Sequence, residues 1–520
     1  MTDELPQGWA WTTLGNLGSW LGGGTPSKAV REYWENGTVH WVSPKDMKRL
    51  LIDSAQDQIT DTAVRESSTN LIPENSILMV TRSGILEHSF PVAVNTVSVA
   101  VNQDLKAVTP YAGIDSTYTA YFLRARSQNI LASCSKDGTT VSSIDTDALA
   151  AFKVALAPSA EQVGIVSKID ELFSRIDEGE RALERVQKLV ERYRQSVLKA
   201  AVTGELTREW RANQAKSDAS VESGDALLAR ILISRRKAWE QAELDKMKAK
   251  GIKPKDDKWK QKYSEPSSPD TSDLPELPEG WIWASVDQVG FVSGGLTKNQ
   301  KRKESEIQRP YLRVANVYTN RLDLSDVHMI GVGEGELDRV LLKKDDVLVV
   351  EGNGSIDQIG RVAIWDGSID SCVQQNHLIK IRCSEVLPSW YVLIWCMSPA
   401  GRDYIRRVAS STAGLHTLSI SKIQALPIPV PVTGELSIIR DRFEQMDSLV
   451  ANQRESLKRE ALKSEALRRS VLNCAFSGNL LPQFQNDEPA SVLLERISTE
   501  RAAAPAKPKH GPKNKKKASK

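Results

Sequence analysis

The sequence predicts an α+β protein built twice, in which a β-rich domain leads into a long helix and a second domain and helix of the same design follow. Three observations carry this expectation. The phrase Leu5-Pro-Gln-Gly-Trp-Ala-Trp returns as Leu277-Pro-Glu-Gly-Trp-Ile-Trp, an offset of 272. Turn glycines and apolar strand runs follow each phrase in the same order. Each copy closes on a helical stretch ending in related words, Ser196-Val-Leu-Lys-Ala-Ala-Val-Thr-Gly-Glu-Leu206 and Ser470-Val-Leu-Asn-Cys-Ala-Phe-Ser-Gly-Asn-Leu480. Self-similarity of this kind decides the architecture before any single element is assigned.

The totals agree with that plan. A chain of 520 residues exceeds one ordinary core and leads us to expect two to four domains. A hydrophobic share of 40% and a charged share of 26% suit a globular protein rather than a disordered one. Five cysteines form no CxxC pair, which fits a reducing compartment and no zinc site. No signal-like start and no run of eighteen apolar residues occur, so a cytoplasmic protein without a membrane span is expected. Net charge is +3, but residues 501 to 520 hold Arg501 and seven lysines with no acid, leaving the other 500 residues at −5. Any polyanion would therefore meet local rather than general positive charge.

Within each copy, Trp9 and Trp11, or Trp281 and Trp283, alternate on a first strand that buries one face. Gly18, Gly22 and Gly23 match Gly290, Gly294 and Gly295 as turn positions at the end of that strand region. Ile77-Leu-Met-Val-Thr-Arg-Ser-Gly84 matches Val347-Leu-Val-Val-Glu-Gly-Asn-Gly354, an apolar strand entering a polar loop. Asn102-Gln-Asp-Leu105 has Gln375-Asn-His-Leu378 as its counterpart, and Gly138-Thr-Thr-Val-Ser-Ser-Ile144 answers Gly414-Leu-His-Thr-Leu-Ser-Ile420. The offset drifts only between 270 and 276, so both domains should share one fold.

From Phe152 the offset locks at 274 and the pattern turns helical, with Pro158 and Pro427, Pro429 and Pro431 at the boundary. Apolar residues recur at Ile165, Ile169, Leu172, Ile176, Leu183, Val186, Val190, Tyr193 and Val197 in steps of four and three, with Gly179 in the one gap. That is a heptad seam, the mark of a coiled-coil helix. The second copy gives Ile439, Phe443, Met446, Val450, Leu457, Leu467 and Val471 in the same frame, interrupted by Gln453, Glu460 and Ser464. Glycines 204 and 478 are C-terminal caps. Short amphipathic helices follow at 226 to 231 and 492 to 497. Residues 235 to 263 carry eleven Lys or Arg against five acids, ahead of a Pro/Ser-rich linker. The expected organisation is domain 1 at 1–157, long helix 1 at 158–207, short helix and basic linker at 208–275, domain 2 at 276–432, long helix 2 at 433–482, and short helix with basic tail at 483–520.

Several chemistries are missing. No Gly-Lys dipeptide exists, so a Walker ATP site is excluded, and no Asn-Pro-Pro or Asp-Pro-Pro run of the amino-methyltransferase kind is present. Six histidines make no metal-binding spacing. Gly331-Val-Gly-Glu-Gly335 lies in a polar loop without the following helix that a phosphate loop needs. No catalytic residue and no bound cofactor or metal are expected.

Two β-rich domains opening on LPxGWxW and leading through a Pro-rich edge into a heptad helix resemble the specificity subunit of type I restriction-modification systems, over roughly residues 5 to 500. The resemblance implies two target recognition domains, joined by helices packed antiparallel with pseudo-twofold symmetry, that read a two-part, asymmetric sequence in double-stranded DNA. A helix of about forty residues is about 60 Å long, roughly eighteen base pairs, so the helices would act as a ruler for the unread gap. It also implies two adenine-methylation subunits and two restriction/translocase subunits as partners. S-adenosylmethionine, ATP and Mg would reside on those partners, and target adenines would be flipped into a partner's pocket.

Base edges are read by Arg, Lys, amides and short hydroxyls on loops. The first copy offers Thr25, Ser27, Lys28, Lys45, Thr81, Arg82, Ser83, Lys136, Thr139 and Thr140; the second offers Lys298, Asn299, Lys301, Arg302, Arg313, Asn316, Asn353, Ser355, His416 and Thr417. Ordinary solvated turns would carry the same residue types, and what favours reading is that framework phrases agree between copies while these loop residues differ. The alternative from the residues alone is a coiled-coil scaffold whose end domains bind proteins.

Overall fold

The computed structural model describes residues 4–136, 141–216, 221–254, 256–333, 335–412, 415–483 and 487–503. The first copy runs through β1 (Ala10–Thr13), β2 (Gly18–Gly22), β3 (Val39–Val42), β4 (Leu51–Ile52), β5 (Asp57–Ile59), α1 (Asp61–Glu66), β6 (Leu71–Ile72), β7 (Ile77–Val80), β8 (Val92–Asn95), β9 (Val99–Val101) and β10 (Leu105–Pro110). It closes with α2 (Ser116–Ala125), α3 (Ser127–Cys134), α4 (Thr146–Ala150) and β11 (Lys153–Leu156). The long helix α5 (Ser159–Val202), α6 (Arg208–Gln214) and α7 (Gly224–Ala249) follow.

The second copy begins with β12 (Ile282–Ser285), α8 (Val286–Val289), β13 (Gly290–Gly294), α9 (Gln300–Lys303), β14 (Gln308–Leu312), β15 (Val317–Tyr318), β16 (Arg321–Leu322), β17 (His328–Gly331) and α10 (Leu337–Val340). Next come β18 (Val347–Val350), β19 (Gly352–Asn353), β20 (Val362–Ile364), β21 (Val373–Gln374), β22 (Leu378–Cys383), α11 (Ser389–Met397) and α12 (Pro399–Val408). It ends with β23 (Ser410–Thr412), β24 (Leu415–Thr417), α13 (Ile420–Gln424), β25 (Pro427–Val430), the long helix α14 (Glu435–Ala475) and α15 (Ala490–Ala503).

The two domains share the central strands of one topology. Strand order β2-β10-β7-β8-β4 in the first answers β13-β22-β18-β20 in the second, and β5-β3-β9-β6 answers β17-β14-β21. In each, one strand of the smaller sheet pairs in parallel, β3 with β9 and β14 with β21. The strand after the LPxGW phrase pairs with the last strand of its domain, β1 with β11 and β12 with β25. Pro427 and Pro429 are tolerated in β25 because its one neighbour among the described residues is β12, so the missing N–H groups break no second ladder. The central strands β7 and β18 are buried along their whole length, which explains their unbroken apolar runs. Tyr118 and Tyr391 lie in the two cores and donate to the carbonyls of Ala155 and Pro429, both at 2.8 Å.

The chain divides into two compact units, residues 1–184 with 458–520, and residues 185–457. The first unit's core joins the first domain to Ile165 and Ile169 of α5 and to Ala475, Phe476, Ala490 and Leu493. The second unit's core joins the second domain to Leu198 and Ala201 of α5, to Ile439, Phe443, Met446 and Val450 of α14, and to Leu227 and Ile231 of α7. Inside each unit the two long helices run antiparallel. Arg468 meets Asp177 and Glu180 while Leu481 meets Gly164 in the first, and Arg211 meets Glu435 while Arg194 and Val450 share a cleft in the second.

The heptad seam is packed unevenly. Ile165, Ile169, Ile439, Phe443, Met446 and Val450 are buried, and Leu172, Ile176, Leu183, Val190, Val197, Leu457 and Val471 are half-buried. Val186 and Leu467, expected on the seam, stand 40% and 54% exposed, as does Tyr193 at 49%. The correction has a geometric cause. A helix of 3.6 residues per turn drifts about 20° per heptad away from a 3.5-residue stripe, so a regular pattern leaves the packed face unless the helices supercoil.

The LPxGW phrase earns its repetition at the foot of each domain. The buried indole of Trp9 donates to Glu161 Oε2, and that of Trp281 to Glu435 Oε1, both at 2.9 Å. The same turn receives the helix that follows the other long helix: Ala490 N–H donates to Gly8 O at 2.8 Å, and Gly224 N–H to Gly280 O at 2.7 Å. Trp11, two residues on, is 47% exposed, in keeping with strand alternation.

Candidate nucleic-acid interface

Two pairs of loops that lie far apart in sequence meet in each domain. The first pair joins the end of the buried central strand to the segment before α4 or α13. In the first copy Ser83 N–H donates to Ser142 O at 3.1 Å, Ile144 N–H to Thr81 O at 2.8 Å and Lys136 N–H to Ser143 O at 2.9 Å, with Arg82 bridged to Ser143. In the second copy the contact is a full small sheet, in which β19 pairs with β24 and β24 with β23. Asn353 faces His416 across it, and Gly352 faces Thr417. Thus Thr81, Arg82, Ser83 and Lys136 come together, as do Asn353, Ser355, His416 and Thr417. Gly138, Thr139, Thr140 and Gly414 lie outside the described residues.

The second pair joins the loop after β2 or β13 to the segment after β9 or β21. Gly24 N–H donates to Val101 O at 2.9 Å, and Leu296 N–H to Gln374 O at 2.8 Å. A Cβ on Gly23 would stand 1.8 Å from Asn102 O, and one on Gly295 would stand 2.2 Å from Gln374 O. Only glycine permits that approach of two backbones, which is why these glycines recur. Thr25 hydrogen-bonds Gln103 across this junction, Ser27 and Lys28 are exposed beyond it, and Ser27 O accepts from the Trp34 indole. Lys298 and Asn299 are exposed at the matching place, and Lys301 stands on α9, its side chain outside the described set. Lys45 is exposed on a separate turn held by Asp46, whose carboxylate accepts from Ser43 N–H at 2.9 Å.

The polar side chains of these loops differ in exposure. Arg82 and Ser355 are exposed, while Asn353, His416 and Thr417 are half-buried at the rim of their sheet. Lys136 is exposed and pairs at 3.5 Å with Asp145, whose carboxyl is held below its usual range by the N–H groups of Ala148 and Asp147 at the start of α4. Beside the second-copy sheet, burial pushes the Glu351 carboxyl up.

Other candidates are corrected. Asn316 is 3% exposed and fully used: its Oδ1 accepts from Arg313 N–H at 2.8 Å, and its Nδ2 donates to the carbonyls of Asp323 and Asp326 at 2.8 and 3.0 Å. The Arg313 guanidinium donates through Nη2 to Asp326, at 2.9 Å to its carbonyl and 2.6 Å to its carboxylate. Arg302 makes a two-pronged pair with Glu336 at 2.9 and 3.0 Å, which holds the Glu336 carboxyl at about 2. Thr81 is buried and donates to Asp104 O at 3.1 Å. Buried polar atoms seek partners, and Asn316 and Thr81 have theirs inside the protein, while the half-buried Arg302 and Arg313 are each held by a carboxylate. Asn102 likewise closes a local turn with Asp104. Arg361, Arg402 and Arg406 flank the second-copy sheet in sequence, where isolated arginines in a turn and on a helix look like a solvated face.

Among the described residues no helix is long and apolar enough to cross a membrane. The family model described as the type I restriction modification DNA specificity domain matches residues 6–187 and again 278–459. The specificity subunit of the type I restriction enzyme EcoR124I/EcoR124II of Escherichia coli is 47% identical over 188 residues, covering 35% of this chain and 46% of that one, so the match spans about half that relative's length. The StySPI specificity subunit of Salmonella potsdam is 22% identical over 524 residues, covering 97% and 98%. Among solved structures, a chain from a type I R-M system superposes with a TM-score of 0.63 at 15% identity, covering 92% of this chain and 99% of that one. The HsdS subunit from Thermoanaerobacter tengcongensis does so with 0.51 at 15%, over the same shares. Likeness at that identity speaks for the fold alone, whereas the two family matches cover most of the sequence: this chain belongs to the family of the type I restriction modification DNA specificity domain and carries that domain twice.

Proposed function

We propose that this chain is the DNA-reading subunit of a type I restriction-modification complex, with one half-site read by each domain. The observation that carries the reading is the loop convergence. In both copies the same two strand-end loops are hydrogen-bonded together, Thr81–Ser83 to Ser142–Ile144 and Glu351–Asn353 to His416–Leu418, yet the side chains they present differ. One scaffold with two unlike sets of polar side chains suits an asymmetric two-part target. The long helices serve as the spacer that sets the unread gap, packed through Ile165 and Ile169 in one unit and Ile439 to Val450 in the other.

The chain supplies no active site in this reading. Methylation of adenine with S-adenosylmethionine, and ATP- and Mg-dependent restriction, belong to two methylation and two restriction subunits that it recruits, within the cytoplasm. The test is to co-express this chain with its methylation subunits and map methylated adenines across a genome. The expected pattern is a bipartite motif with a fixed gap, and exchange of residues 1–157 alone changes one half only. A single continuous motif, or no sequence preference, would overturn the proposal in favour of a protein-binding scaffold.

A further inference from the structure

The duplication supplies an internal control for a cationic cleft in the second unit. At the offset of 274 that holds along the long helices, Arg468 corresponds to Arg194, Asp177 to Ala451 and Glu180 to Arg454. In the first unit Arg468 is neutralised by both acids, with Glu180 at 3.0 Å, and stacks over Phe173. In the second unit the equivalent Arg194 is buried, and its facing positions are an alanine and another arginine. Among the described residues its guanidinium meets only Glu191 of its own helix, at 3.2 Å, and the Met397 sulfur at 3.4 Å.

Around Arg194 lie two adjoining hollows of about 450 and 390 Å³, both touching Arg194, Thr319 and Arg361. Their walls hold six arginines, at 194, 321, 361, 402, 406 and 454, against Asp357, Asp403 and Asp447. The acids are partly committed: Asp357 and Asp403 to Arg406 at 3.0 and 3.4 Å, and Asp447 to the Asn320 amide at 2.9 Å. Among the described residues Arg321, Arg361, Arg402 and Arg454 make no ion pair. Arg402 instead donates to the carbonyls of Ile359 and Asp357, and Arg321 and Arg361 stack on Tyr318. Burial lowers the pKa of Arg361 and, with the charge of Arg406 beside it, that of Arg402, so both would gain from an incoming anion. The cleft is continuous in the chain with the candidate reading sheet on both sides: Asp357 follows the loop after Asn353, and α12 runs directly into β23.

We infer that this cleft seats backbone phosphates of the DNA beside the half-site read by the second domain, giving that domain an electrostatic anchor where the first domain has a closed ion pair. The inference rests on the DNA-reading proposal. Guanidinium groups fixed by stacking suit phosphate oxygens, and they add affinity without base selectivity.

The test is duplex binding by the full chain with its methylation subunits, for Arg321→Gln/Arg454→Gln, whose side chains are exposed, and for Ala451→Asp/Arg454→Glu, which rebuilds the first unit's closed arrangement. Loss of two phosphate contacts should lower the slope of log affinity against log salt by about 1.8, about thirtyfold at 0.15 M salt, equally on cognate and unrelated duplexes. The methylated motif should be unchanged. If the unaltered complex shows sequence preference but both variants keep its affinity and salt slope, the phosphate seat is wrong and the reading proposal stands. If the variants instead lose methylation subunits, the cleft binds an acidic protein surface and the inference is likewise overturned. An unaltered complex without sequence preference would refute the reading proposal itself.

Discussion

The twin Trp–Glu contacts predict opposite responses to the same substitution. Glu435 is fully buried, accepts from Trp281, and is paired at 2.6 Å with Arg211, itself 19% exposed; Thr207 also donates to it. Glu161 is buried and accepts from Trp9, but among the described residues its Oε1 has no hydrogen-bond partner and its carboxylate makes no ion pair. Burial accordingly raises the Glu161 pKa above 4.5, with Asp487 adding to the rise. Removing one partner of a buried pair costs about 3 to 5 kcal/mol. Glu435→Gln should fall at the lower end, about 3 kcal/mol, because Arg211 keeps some water and its bond to Gly204 O. Glu161→Gln keeps the indole acceptor and removes an uncompensated charge, so its change should stay within about 1 kcal/mol and favour the folded state at neutral pH.

The pH dependence has a definite sign. Below pH 4.5 Glu161 is protonated folded and unfolded, and costs nothing. As pH rises through 4.5 the unfolded chain releases its proton first, and stability falls until the folded pKa is passed. The gain from Glu161→Gln should therefore be absent at pH 4 and present at pH 7. Hydrogen exchange followed by mass spectrometry reads the two units separately in the full chain. Equal destabilisation by both substitutions, or a Glu161→Gln effect independent of pH, would refute the reasoning.

Three further outcomes are expected. Gly23→Ala or Gly295→Ala forces a Cβ into a facing carbonyl, and should destabilise its own unit by about 1 to 3 kcal/mol, read by the same exchange experiment. Asn316→Ala strips three internal hydrogen bonds and should lower thermal stability, whereas Asn353→Ala, at the rim of the reading sheet, should leave the melting temperature unchanged and relax one position of a half-site in methylation mapping. Insertion of seven residues into both long helices should lengthen the unread gap by about three base pairs and leave both half-sites intact, since a heptad adds about 10 Å and restores the packed face.

Much of the fold was legible because its signals are local. Strand runs such as Ile77–Val80 and Val347–Val350, turn glycines at 23 and 295, and the repeated LPxGW phrase each report a backbone requirement that neighbouring residues suffice to reveal. The candidate site was legible in place but not in role. The polar loops at 81–83 and 351–355 are evident in the sequence, but there Asn316 and Arg313 look equivalent to Asn353 and His416, because only the fold sets their partners at 323 and 326. The heptad stripe overreached for a related reason, since Val186 and Leu467 keep the period but not the facing surface.

By itself, then, the sequence determined the duplication, the alternation of β-rich domain and long helix, and the family, all of which follow from order and period along the chain. The tertiary structure decided which polar side chains are free. Arg194 and Arg468 occupy the same position in a repeated helix, but Arg468 meets two acids of the facing helix while Arg194 pairs with Glu191 of its own helix and faces Ala451 and Arg454, because the facing residues lie some 260 to 290 positions away and only folding brings them within reach.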